Sequence, residues 1–176
     1  MKLIPKPLVG EYAPYTIMYI SLLPEDGRIL EHLRDNLENT IRFIRSLPEG
    51  KLTTPHAEGE WTIKEILVHI IDDERIYCYR ALRYARNDTT VLPGFEQNEY
   101  VHYSVANNRE LEAIIEEFTS VRKATITFFE SLDEEAFIRK GIGGGNIMSV
   151  RAAAYHIAGH ELHHINSIKD NYLSGA

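Results

Sequence analysis

Residues 149–170 read SVRAAAYHIAGHELHHINSIKD, and within them His160, Glu161 and His164 spell H-E-x-x-H, with His156 one turn earlier and His163 wedged between. Residues four apart lie on one face of a helix, so His160 and His164 can converge on a single cation. Two imidazoles do not complete a site, because catalytic zinc takes three protein ligands and keeps a fourth position for water. In metalloproteases with this motif the third ligand lies downstream. Here the residues after His164 contain no His, no Cys and one carboxylate, Asp170. The third ligand has to come from upstream, so the fold turns on which helix runs beside this one.

Four segments carry helical periodicity and are separated by loops with breakers. The first, about 26 to 47, places Leu30, Leu33, Leu37, Ile41 and Ile44 on one stripe before Pro48-Glu49-Gly50. The second opens after Trp61, where Thr62 and Glu65 form a capping box, and runs to about 86. The third spans about 108 to 132 through Leu111, Ile114, Ile115, Phe118, Thr125, Phe129 and Leu132. The fourth runs from about 149 to 173. Four amphipathic helices with no convincing strand predict an all-α four-helix bundle. With 176 residues, 44% of them hydrophobic, the chain has enough apolar content for a single domain over 1–176, its N-terminal segment 1–25 packing across the bundle.

About twenty residues, Asn87 to Asn107, link the second and third helices, where a short turn suffices for antiparallel neighbours. Such a link can cross the bundle and leave those two helices parallel. The predicted order is then up-down-down-up, with the second helix antiparallel to the fourth. His69 lies about seven residues from the start of the second helix and His164 about nine from the end of the fourth, so at about 1.5 Å per residue they are level. The expected third ligand is His69.

At this point the chain resembles a known family, the DinB-like (YfiT-type) metal-binding four-helix bundles. The matching elements are Trp61-Thr62-Ile63-Lys64-Glu65-Ile66, His69 with Asp72-Asp73-Glu74-Arg75, Tyr79-Arg80-Ala81-Leu82, Leu92-Pro93-Gly94-Phe95, and Gly159-His160-Glu161-Leu162-His163-His164. Together and in this order they cover most of the chain. The resemblance implies a divalent metal, zinc or nickel, on His69, His160 and His164. It also implies transfer of a low-molecular-weight thiol to a small electrophile, or, alternatively, metal-dependent hydrolysis or a non-catalytic metal-binding, stress-associated module. Some relatives replace the first histidine of the final pair by Glu; this chain retains His160. For hydrolysis, Glu161 and Asp73 are the candidate bases.

A net charge of -7 argues against nucleic-acid or anionic membrane partners, whose binding surfaces are built from clustered Lys and Arg. No apolar run reaches the roughly 20 residues that span a bilayer. A single cysteine, Cys78, excludes an internal disulfide, and no signal-peptide core is seen, so the expectation is a cytoplasmic protein. Its expected partners are the thiol and the electrophile, with a homodimer left open.

On a helical wheel, His160 and His164 flank the apolar stripe of the fourth helix, while His156 and His163 fall further toward solvent, in supporting or surface roles. His32, His56 and His102 read as surface residues. Glu74, Arg122 and Glu161 each fall in the middle of an apolar stripe and are nearly level, which predicts a buried ion network beneath the metal. Cys78 reads as a core residue. Tyr77 and Tyr84 share the flank of His69, where they could line a pocket. Gly141, Gly143, Gly144 and Gly145 with Asn146 read as the turn into the fourth helix, lacking the strand and Lys of a phosphate loop.

Overall fold

The computed structural model describes residues 2–173. Four long helices form the body of the protein: α1 (Ile29–Arg45), α2 (Ile63–Ala85), α3 (Leu111–Ser131) and α4 (Val150–Ser167), the last continuing into a π-helical turn at Ile168–Tyr172. Local chemistry sets their starts. The Thr62 side chain accepts the Glu65 N–H at 3.2 Å while the Glu65 carboxylate accepts the Thr62 N–H at 2.7 Å, which satisfies two of the free donors at the start of α2. Ser149 caps α4 through the Ala152 N–H at 3.1 Å.

Side-chain pairings give the directions. Arg45 pairs with Glu112 at 2.9 Å, and Arg34 with Glu130, so α1 and α3 are antiparallel. Lys64 reaches the Arg109 carbonyl and Arg75 reaches Glu117, both at 2.6 Å, so α2 and α3 run the same way. Asn36 donates to the Ala158 carbonyl at 3.2 Å and Thr40 to Glu161 at 2.7 Å, which makes α1 parallel to α4. His69 meets His160, and Asp73 meets His156, so α2 and α4 are antiparallel. The connection from α2 to α3 carries a short helix, Gln97–Tyr103, that packs on α2.

Contrary to the expectation of no strand, residues 140–149 form a hairpin, β1 (Lys140–Gly143) and β2 (Asn146–Ser149). Four-residue strands are too short to show alternation. Their two-residue turn uses Gly144 and Gly145 at φ +58° and +77°, the left-handed geometry that hairpin turns need and glycine supplies without strain. The glycine run is thus the hairpin itself as well as the lead into α4. On the other side of α4, the short helix Ile17–Ile20 lies so close that a Cβ at Gly159 would sit 2.3 Å from the Tyr19 carbonyl oxygen. Among the described residues no helix is long and apolar enough to cross a membrane.

The apolar interior is divided into two clusters. One gathers Ile4, Ile20, Leu33, Tyr77, Phe129 and Tyr155; the other gathers Leu37, Ile44, Ile70, Phe118, Ile165 and Ile168. Between them runs a polar layer. Arg122, fully buried, donates from Nε to Glu74 at 2.9 Å, from Nη2 to Glu74 at 2.8 Å and from Nη1 to the Leu33 carbonyl at 2.6 Å, and its Nη2 is 2.9 Å from Glu161 Oε2. Burial pushes the Arg122 pKa down, but Glu161 and Glu74 outweigh it and hold the guanidinium charged. Removing one member of such a network leaves charge stranded, at a cost of about 3–5 kcal/mol. Arg122→Met is expected to lower stability by that order in denaturant unfolding at neutral pH. Replacing Glu74 and Glu161 by Leu in the same chain should recover most of it.

Candidate metal centre

His69 projects from the second turn of α2, in a register set by the Thr62 cap, and His160 and His164 project from successive turns of α4. Their Nε2 atoms converge. His69 Nε2 is 3.2 Å from His160 Nε2, and His164 Nε2 is 3.1 Å from it; all three ligand atoms lie within 4.8 Å of one another. Three nitrogens at about 2.0–2.1 Å from a tetrahedral ion stand about 3.3 Å apart. The side chains are therefore placed as ligands are, and they fit a divalent cation. His69 and His160 are buried and His164 is half-buried. Burial pushes all three imidazoles below the usual histidine range, His164 to about 3. At neutral pH each ring is uncharged and keeps a lone pair for a metal.

Asp73 sits behind the cluster. Its Oδ2 is 3.4 Å from His160 Nδ1 and 3.0 Å from His156 Nε2. Burial opposes its ionisation, yet His160 and His156 overcome that and hold the carboxyl well below the usual range. An ionised Asp73 this close to His160 Nδ1 favours the ring proton on that nitrogen and leaves the Nε2 lone pair facing the other two rings, the arrangement that orients and strengthens a metal-binding histidine. His156 is only 2% exposed, which corrects the placement toward solvent. The wheel considered the helix alone, whereas the N-terminal segment covers that face, its Tyr19 ring 5.1 Å from His156 and 5.2 Å from His160. The other face of His156 stacks on Tyr77 at 3.7 Å.

The two candidate bases are otherwise engaged. Asp73 faces His160 and His156, and Glu161 is fully buried against Thr40 and Arg122. Cys78 is half-buried between α2 and α3, and burial pushes its thiol up to about 11, so it is protonated at neutral pH. Tyr84 is packed beneath Gly141 rather than beside the histidines. His32 pairs with Asp26 at 3.0 Å.

The cluster opens through His164 onto a cavity of about 370 Å³, whose walls include His56, Glu60, Trp61, Asn98, His163 and Tyr172. Among these, only Trp61 and His163 lie in motifs of the sequence, Trp61 at the start of a helix and His163 between the two histidines of H-E-x-x-H. Glu60 and His56 lie in the loop before α2 and Asn98 in the crossover, so no helical period marks them. The Trp61 ring is 4.8 Å from His69.

The family description DinB superfamily matches residues 32–168, which include all three histidines and Asp73. A protein of Oceanobacillus iheyensis named "putative metal-dependent hydrolase" is 27% identical over 128 residues, covering 72% of this chain and 73% of its own. A protein of Bacillus licheniformis with the same name is 24% identical over 153 residues, covering 84% and 87%. Among solved structures, YfiT from Bacillus subtilis, described as a probable metal-dependent hydrolase with an unusual four-helix bundle topology, superposes with a TM-score of 0.69. The match covers 95% of this chain and 91% of that one at 16% identity, and it shows the shared fold.

Alanine at His69, His160 or His164 is expected to abolish stoichiometric zinc or nickel by elemental analysis, whereas His156→Ala and His163→Ala should retain most of it. Asp73→Asn should weaken metal affinity by about 10–100-fold. Full metal content in His69→Ala would leave the site to α4 alone. The depressed histidines also set a pH dependence. The unfolded chain takes up their protons near pH 6.5 and the fold does not. Their stabilising contribution is complete above that pH and is lost as pH falls below it, at up to about 1.4 kcal/mol per pH unit for each ring, for His164 down to about pH 3. Metal-free His164→Gln should therefore show a shallower acid slope than its parent by about one proton.

Proposed function

The chain belongs to the DinB superfamily, and from that premise we propose that it is a divalent-metal-dependent enzyme transferring a low-molecular-weight thiol to a small electrophile. The observation that carries this reading is the convergence of three neutral imidazoles, one of which, His164, opens onto a cavity of about 370 Å³, a size suited to a small molecule. A zinc or nickel ion held there would act as a Lewis acid, ionising a thiol and polarising an electrophile. His69, His160 and His164 bring no charge of their own, so the full positive charge of the ion is kept for the nucleophile. Asp73 fixes the His160 ring. Trp61 and Tyr172 give the substrate aromatic walls, and His163, half-buried on the same cavity, is placed to take up the proton the thiol gives up. Sulfur then bonds to the electrophilic carbon as the leaving group departs with its electron pair. Cys78 has no covalent part in this reaction, and a reducing cytoplasm suits it.

Hydrolysis is the second reading, and the names of the curated relatives favour it. A water nucleophile needs a base, and with Asp73 and Glu161 engaged elsewhere, Glu60 on the cavity wall is the carboxylate available. The two readings separate in one experiment. Metal-loaded protein is given several cellular thiols with an aryl halide, and in parallel a panel of activated esters and amides, before and after chelation, with Glu60→Gln and Cys78→Ser alongside. Thiol transfer is expected to fall to the uncatalysed rate on chelation and to survive both substitutions. Ester or amide turnover that depends on metal and is lost in Glu60→Gln would establish hydrolysis instead. Metal binding with no turnover in either panel would leave a metal-binding module.

A further inference from the structure

Among the described residues two arginines are buried, Arg122 and Arg80, and their surroundings differ sharply. Arg122 has two carboxylates. Arg80, 6% exposed, has none: its Nη2 donates to the Pro93 carbonyl at 3.1 Å, and its guanidinium lies 5.0 Å from the Tyr77 ring and 5.9 Å from the Phe95 ring. A buried cation is costly unless it is paired, and a guanidinium presents five N–H donors of which one carbonyl satisfies one. Aromatic faces offset part of this cost but accept no hydrogen bond of carboxylate strength.

Three parts of the chain meet around this group. The helix α2 carries Arg80, the segment Leu92-Pro93-Gly94-Phe95 wraps over it, and the glycines of the hairpin leave room for it. A Cβ at Gly143 would lie 2.8 Å from Arg80 Nε and 2.8 Å from the Tyr84 hydroxyl, and one at Gly144 would lie 3.5 Å from Arg80 Nη2. The Tyr84 hydroxyl, buried beside that spot, has no hydrogen-bond partner. Arg80 also faces a cavity of about 310 Å³ with apolar walls that include Ile76, Leu92, Phe95 and Tyr100. Arg75 reaches the same cavity, but its charge is taken by Glu117 at 2.6 Å and Asp72 at 3.6 Å.

We propose that the cavity at Arg80 is a binding site for a small monocarboxylate with an apolar or aromatic body. The planar fork of the guanidinium matches a carboxylate. One uncompensated positive charge suits a monoanion, and the walls suit hydrocarbon. Arg80 stands about 16 Å along α2 from His69 at 1.5 Å per residue, so this is a second site, independent of the thiol-transfer reading.

The test uses the zinc-loaded full-length protein titrated with phenylacetate and, separately, with the neutral phenylacetamide, followed by amide-proton shifts in nitrogen-15 spectra. Phenylacetate is expected to bind saturably, to shift Gly94, Phe95, Gly143 and Gly144, and to bind at least about tenfold more tightly than the amide, a difference of about 1.4 kcal/mol. Arg80→Met should lose that preference while Arg75→Met keeps it. Equal binding of acid and amide, no saturation, or shifts centred on His163 and Ser167 would overturn the proposal. These readouts need no variant, so they decide even if Arg80→Met fails to fold.

Discussion

The pairing of Arg122 with Glu74 and Glu161 joins three of the four long helices at one level, and its hydrogen bond to the Leu33 carbonyl adds the fourth. A charge buried this deeply tolerates little displacement, because any shift leaves a guanidinium or a carboxylate unpaired in a medium that solvates neither. The layer therefore constrains register more than it adds stability. It sits at the seam between two apolar clusters.

The histidine cluster inherits that register. Glu74 follows Asp73, and Glu161 follows His160, so two adjacent pairs of side chains on facing helices point to opposite duties. One member of each pair turns inward to Arg122, and the other turns to the histidine cluster. Fixing α2 against α4 through the ion network fixes Asp73 against His160 and His69 against His164 as well. The N-terminal segment closes the remaining side, and its approach depends on Gly159, the residue before His160. Histidine geometry, supporting carboxylate and covering segment are thus positioned by neighbours in sequence along a single stretch of α4.

The wheel and the caps made much of this legible. Thr62 and Glu65 marked the start of α2, and three charged residues on apolar stripes announced the buried network before any tertiary contact was known. The histidine pair at i and i+4 announced a cluster of converging imidazoles, which His69 completes. Illegible were the burial of His156, the hairpin and the cavity walls. Each depends on segments distant in sequence: Tyr19 over His156, Gly143 against Arg80 and Tyr84, and Glu60 and Asn98 brought from two different loops.

Periodicity is a property of one helix, so the sequence by itself determined which faces are apolar, where helices begin and which side chains break the apolar rule. A carboxylate in the middle of a stripe must find a partner, and that requirement can be read without knowing where the partner lies. Which donor meets which acceptor is decided by the packing of helices and loops, since Asp73 and Glu74 are neighbours of like chemistry whose different duties arise from what α4 and α3 place opposite them. The same holds for two buried arginines of identical chemistry: tertiary structure surrounds Arg122 with carboxylates and leaves Arg80 facing a cavity.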